Sequence, residues 1–198
     1  MNPYKINRGQ TINTDVDGIS VDRGFIAHLI YTDLAAADTD GVHAAVTDTG
    51  EEQTITTDIT NPDYPRLITA TAGGTAGDIG AIQVTFTGTN YADETITEDL
   101  PAFTVDTAGT VTSTKAFKTL TSIKIPAHDG TGATTSIGWS KSVGLPYMLP
   151  YSTLISANLD GTADTGTITA DADEIEKNFF TPSGTPDGSK DLNLFLMV

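Results

Sequence analysis

A chain of 198 residues with a formal net charge of −16 is long enough for one good core or two small ones. Only 10 Lys and Arg stand against 26 Asp and Glu, which argues against a nucleic-acid partner and against an anionic membrane surface. The absence of cysteine excludes disulfides and thiolate metal sites, the opening MNPYKINRGQTINTDVDG lacks the apolar segment of a secretory signal, and no run approaches the roughly 18 apolar residues of a membrane-spanning helix.

About one residue in six is threonine, and there are 19 glycines with 7% aromatics. β-Branched residues favour pleated strands, and glycine supplies turns. The composition therefore predicts an all-β protein. The acidity has two readings. It is a surface charge that keeps copies apart until they dock, or it is an adaptation to high salt, where self-repulsion is screened.

In chain order, residues 1–24 are polar and glycine-punctuated and read as an extended N-terminal arm. Residues 25–198 read as one β-sandwich domain. Phe25–Leu34 is the first solid strand, apolar on both faces, with His28 packed within it. Residues 35–53 are Ala-rich and acidic and read as a connector, an exposed hairpin. Asn61-Pro62-Asp63-Tyr64-Pro65 is a rigid turn, because each proline fixes its own φ and restricts its predecessor. Residues 73–80 (GGTAGDIG) lack the Lys-Ser/Thr of a phosphate loop and read as a hairpin connection.

The stretch 55–126 carries the clearest signal. Ile82, Val84 and Phe86 point one way and Gln83, Thr85 and Thr87 the other, the period-two pattern of a half-buried strand. Ile55, Ile59, Leu67, Ile96, Ile123 and Ile125 supply the same core face. Leu120 has the opposite parity from Ile123 and Ile125, so the phase breaks near Thr121–Ser122 and predicts a bulge. Turns are expected at 89–93 and 129–132, with a strand pair around Phe103 and Val111 and a strand ending at Trp139.

Residues 145–150 (LPYMLP) are too proline-rich for a central strand. Strands follow at 153–159, where Ile155, Ala157 and Leu159 share a face, and at 165–170. Asp171–Glu174 turns the chain into 175–180, and 181–190 is a loop. The chain closes with DLNLFLMV. Leu192, Leu194, Leu196 and Val198 share one face, Phe195 and Met197 the other. A strand apolar on both sides is seldom left at an open edge. Leu192, Leu194, Phe195, Leu196 and Met197 are therefore the interface candidates, sandwiched in the fold or pressed against a partner.

Candidate chemistry is sparse. His28, His43 and His128 are far apart in sequence and have no helical i, i+4 partners. Asp15, Asp17 and Gly18 resemble the opening of a calcium loop, but Ile26 stands where its terminal Glu should be. Asp15 and Asp17, with Asp171 and Asp173, are the weak calcium candidates against a reading as solvated acidic turns. Ser136, Ser140 and Ser142 lack a nucleophile-elbow context, and the paired acids lack an aromatic cleft. The sequence predicts no enzyme, no cofactor and no committed metal site.

Seven phrases carry a resemblance: ITNPDYPR at 59–66, TGTNYADETITE at 87–98, TKAFKTLTSIKIP at 114–126, SIGW and VGLP within 136–146, DADEIEKN at 171–178 and the final DLNLFLMV. Together they resemble a family of small virion structural proteins encoded among the head genes of tailed phages and prophages, over about two thirds of the chain. The resemblance implies an antiparallel β-sandwich, Ig-like and without enzymatic activity. It further implies a capsid decoration protein on the outer surface of a tailed-virus head, with the major capsid protein as partner and a homo-oligomer, trimer favoured. A tail or neck component, or a receptor-binding Ig-like module, is the alternative. The chain departs from the family at 35–53 and in its arm, and its acidity fits a haloarchaeal host.

Overall fold

The structure is a computed structural model that describes residues 11–13, 15–18, 20–22 and 24–198. It is all-β, and every strand pairing is antiparallel. Most of the expected arm lies outside the described residues. Within it, β1 (Thr11–Asn13) pairs with β2 (Ser20–Asp22).

The remaining strands are β3 (Ile26–Tyr31), β4 (Asp38–Thr47), β5 (Gln53–Ile55), β6 (Arg66–Gly74), β7 (Thr85–Thr89), β8 (Thr95–Asp99), β9 (Gly109–Phe117) and β10 (Thr119–Ile125). After them come β11 (Ala133–Gly144), β12 (Leu154–Leu159), β13 (Thr162–Ala163), β14 (Thr167–Thr169), β15 (Phe179–Thr181) and β16 (Leu192–Met197). Three sheets organise them. One runs β5-β10-β7-β8, a second β14-β15-β11-β6-β9 with β4 also on β11, and a third β13-β12-β16-β3.

Two apolar cores result. The first gathers Ile68, Ala70, Val84, Phe86, Phe117, Leu120, Ile123 and Ile137 from the first two sheets. Phe86 meets Phe117 edge-on at 6.1 Å, a favoured aromatic geometry. Val84 and Phe86 are fully buried as their alternation requires. The register of β10 on β7 shifts between Leu120 and Ser122, the bulge that the parity break predicts. Gly88 faces that bulge, where a Cβ would lie 1.9 Å from the Thr119 carbonyl oxygen, so only glycine fits. The second core gathers Tyr31, Leu34, Val143, Leu145, Leu149, Leu159, Phe180, Leu192, Leu194 and Leu196.

β11 belongs to both cores. Ala133 and Ile137 enter the first and Val143 the second, and its register on β6 shifts between Trp139 and Val143. Arg66 sits at that shift, fully buried. Its Nε and Nη2 donate to the two carboxylate oxygens of Asp63 at 2.6 and 2.7 Å, Nη1 donates to the Ser140 carbonyl and Nη2 to the Ala35 carbonyl. Asn61 adds a bond from the Leu120 amide at the bulge, 2.7 Å. The NPDYPR phrase is thus a clamp that ties the chain at 35, 63, 120 and 140 together. A buried guanidinium is tolerable because these donors are satisfied.

Five sequence expectations are corrected. The strand expected to end at Trp139 runs on to Gly144 as β11. Residues 35–53 are not an exposed connector: β4 occupies ten of them, paired on β11, with Val42 buried. Residues 73–80 do not close a hairpin, because β6 and β7 lie in different sheets. Around Phe103 there is no strand; the side chain is buried from a loop, and only β9 follows. Ile155 does not share a face with Ala157, because the register of β12 on β16 shifts between Leu154 and Ser156 and leaves Ile155 half exposed.

Much of the acidity is built into turns. Among the described residues, Asp33, Asp58, Asp93, Asp106 and Asp160 are the non-glycine residues with positive φ. Aspartate tolerates that left-handed conformation better than most residues. These charges sit in the turns and loops between strands, not on sheet faces.

Candidate docking face

The third sheet buries one face, and among the described residues the other is open. Leu192, Leu194 and Leu196 of β16 are fully buried in the second core. These three interface candidates are therefore used inside the chain. β16 is a central strand, with β12 on one side and β3 on the other, which explains why a terminal segment is so apolar. Phe195 and Met197 point to the opposite face, and Met197 is half exposed.

Register places the rest of that face. Phe195 lies opposite His28 and Met197 opposite Ile26. His28, read from the sequence as a packed strand residue, lies in β3 and stacks on Phe195 at 4.2 Å and 10°, on the exposed side of the sheet. Its Nε2–H donates to Asn193 Oδ1 at 2.9 Å, because that oxygen can only accept. Around this centre stand Ile26, Ile30, Ile155 and Met197, each between 50% and 67% exposed, with Tyr151, 68% exposed, in the adjoining segment; Phe25 alternates with Ile26 and pairs with Val198 on the other side of the strand. At one end lies a groove of about 500 Å³, lined by Gly24, Leu149–Ile155, Met197 and Val198.

Among the described residues, the strands that build this face contribute no charged side chain to it. Residues 24–32, 142–159 and 192–198 contain no Asp, Glu, Lys or Arg, and β3, β12 and β16 draw on these three stretches. On a chain of net charge −16 that is a local exception. Exposed aliphatic and aromatic side chains occurring singly are ordinary, whereas a contiguous patch marks a contact surface. The three uncharged stretches were the available signal; only their convergence in one sheet required the structure.

The calcium candidates are not brought together. Asp15 and Asp17 are exposed beside β1–β2. Asp171 Oδ1 accepts the amides of Asp173 and Glu174, each at 2.8 Å. Those two backbone bonds, with Lys177 nearby, hold its carboxyl below the usual range. Asn178 completes this turn. It is fully buried, its Oδ1 accepts the Leu149 and Asp171 amides, and its Nδ2 donates to the Asp171 and Glu174 carbonyls. The DADEIEKN phrase is a fully bonded turn that anchors 145–150. Among the described residues no three His, Asp or Glu side chains form a metal-sized group.

The histidines stay apart. His43 contacts the Ala44 carbonyl on β4. His128 is buried against Phe103. Its Nδ1 accepts the Gly80 amide, so Nε2–H donates to Thr135 Oγ1 at 2.8 Å. Burial lowers its pKa, while Asp48 and Asp129 pull it back up. Ser136 donates to the Thr39 carbonyl, and Ser142 bonds Thr181. Tyr31 donates to the Gly144 carbonyl at 2.9 Å, and its burial raises the phenol pKa.

Comparison with protein-family models, with curated proteins and with solved structures finds no match.

Proposed function

We propose that this protein is a virion structural protein without enzymatic activity, a decoration protein that docks on the outside of a tailed-virus head and stabilises it. The observation that carries this reading is the uncharged, half-exposed face of the β3–β16 sheet on a chain of net charge −16. The order and spacing of NPDYPR, TGTNYADETITE, TKAFKTLTSIKIP and the terminal DLNLFLMV support the virion assignment, and with it the Ig-like kinship of the sandwich.

The mechanism is physical. The bare face lies against the major capsid protein across capsomer boundaries, and the acidic turns face solvent. A stable contact of this kind buries about 800 Å² per partner, and apolar area contributes roughly 25 cal/mol per Å² before the costs of association. In a high-salt setting the charge of −16 is screened and does not oppose docking.

Quantitative mass spectrometry of purified particles tests the assignment. Decoration requires hundreds of copies per head. A few copies per particle would assign the protein to the neck, tail or a receptor-binding position instead. Adding the purified protein to undecorated heads, with Ile155→Glu as the comparison, tests the face; loss of binding in a folded variant is the expected outcome.

A further inference from the structure

We propose that β3 pairs antiparallel with β3 of a second copy of this chain, about a two-fold axis at His28. This rests on the open edge of the third sheet, not on the virion assignment.

The other sheet edges are defended. β8 carries Glu98 and Asp99, and β4 carries Asp38 and Asp40. β9 has the amides of Thr114 and Lys115 occupied by the Glu98 carboxylate at 2.6 and 3.0 Å. β5 and β14 have three residues each and β13 two. Short edges, edge charges and side-chain cover are the means by which folded proteins avoid edge-to-edge pairing. Among the described residues β3 has none of them within Ile26–Tyr31; Tyr64 covers the edge only beyond it, taking the amide and carbonyl of Thr32. The strand is six residues long, IAHLIY, with no charge and no proline, and it ends the order β13-β12-β16-β3.

The ladder fixes which backbone groups are open. Phe25 and Val198 exchange both bonds, at 3.0 and 2.8 Å. Antiparallel pairs alternate, so Ala27, Leu29 and Tyr31 point their amides and carbonyls at β16. Ile26, His28 and Ile30 point theirs off the edge. These are also the residues whose side chains stand on the uncharged face.

A second copy fits this edge in both hydrogen bonding and charge. With His28 opposite His28 of the second copy, Ile26 lies opposite Ile30 of that copy and Ile30 opposite Ile26. The three open residues then form hydrogen-bonded pairs, and both flanking pairs are apolar, a self-complementary arrangement that a two-fold requires. Two chains of −16 each repel wherever their acidic turns meet. The 24–32 edge lets them approach without facing charges, and added salt weakens the remaining long-range repulsion. The pairing makes one eight-stranded sheet and joins the two bare faces into a single larger one.

The test uses the full chain in molar NaCl. Light scattering should give a dimer. Hydrogen exchange at the amides of Ile26, His28 and Ile30 should slow as protein concentration rises, while those of Ala27, Leu29 and Tyr31 are slow at every concentration. Ile30→Lys, at an exposed position, should stay folded by circular dichroism and weaken dimerisation at least about tenfold by charging the edge. Directly paired residues of this type have Cα atoms about 5.5 Å apart, within the disulfide range of about 4.4–6.8 Å, and the chain has no native cysteine. His28→Cys should therefore cross-link on oxidation, with Ile155→Cys as an uncoupled control. A monomer or a trimer, a dimer whose Ile26, His28 and Ile30 amides still exchange fast, or absence of the cross-link would overturn the pairing. A dimer that ignores viral heads would support it and count against the decoration role alone.

Discussion

The two cores of this protein finish their surfaces differently. Around the first core, the outward positions of β7, β8 and β10 are threonines and charges: Thr85 bonds Asp99, Thr87 bonds Thr97 and Thr89 bonds Thr119 across neighbouring strands. The sheet over the second core carries Ile26, His28, Ile30, Phe195 and Met197 outward instead. Seven of the nine large hydrophobic side chains exposed among the described residues belong to the strands and segment around the second core; Val16 and Val105 are the other two. Both regions solve the same problem of burying one sheet face. The outer face over the second core also holds the polar Asn193, bonded to His28, and Ser156 opposite Phe195, but its strands supply no Asp, Glu, Lys or Arg, and that difference separates a surface made for solvent from one made for contact.

The largest expected effect comes from removing β16. Deleting residues 193–198 takes out the central strand of the third sheet with the buried Leu194 and Leu196. Each such side chain contributes about 1.5–3 kcal/mol, and both neighbouring strands lose their ladder. Circular dichroism and thermal melting should show loss of cooperative folding. Retention of the native transition would mean that the two halves do not depend on one another.

Arg66→Ala should cost about 3–5 kcal/mol, because it strands Asp63 and two carbonyls at the place where β11 passes between the cores. Denaturant unfolding measures it directly. Phe86→Ala should cost a similar amount, about 3–5 kcal/mol, in the first core. By contrast, Ile26→Thr on the bare face should change stability by no more than about 0.5 kcal/mol and should act on association instead. A large loss from Ile26→Thr would mean that this face is held by the chain itself.

His128 gives a pH test confined to the first half. Its folded pKa lies below the ordinary 6.5 because it is buried. The unfolded chain therefore takes up the proton first as pH falls. The stability associated with a neutral His128 is complete above about pH 6.5 and is lost as pH falls through the lower folded value. The melting temperature should drop more steeply below pH 6.5 in the native chain than in His128→Asn. Parallel slopes would remove His128 from the account.

The first half was the more legible in sequence. The alternation of Ile82, Val84 and Phe86 announced β7, although the strand itself begins only at Thr85, and the parity of Leu120 against Ile123 announced the bulge. β4 was illegible because its text is alanine and aspartate, and the strand is held by pairing with β11 across about 90 residues of sequence rather than by its own propensity. The displaced Ile155 depends on a bulge that no periodicity marks. The docking face was half legible. DLNLFLMV displays two apolar sides, but a sequence cannot say whether a second layer covers the outer one. The uncharged runs 24–32, 142–159 and 192–198 pointed at the same place, and the topology that joins them is non-local.

Oxidative footprinting compares the two surfaces most directly. Hydroxyl radicals should modify Met197 and Tyr151, which line the groove and are 52% and 68% exposed, readily in the free protein. On assembled particles both should be strongly protected, while Val105 over the first core remains as reactive as before. Equal reactivity of Met197 and Tyr151 in the free and assembled states would contradict the claim that the bare face is where this protein docks.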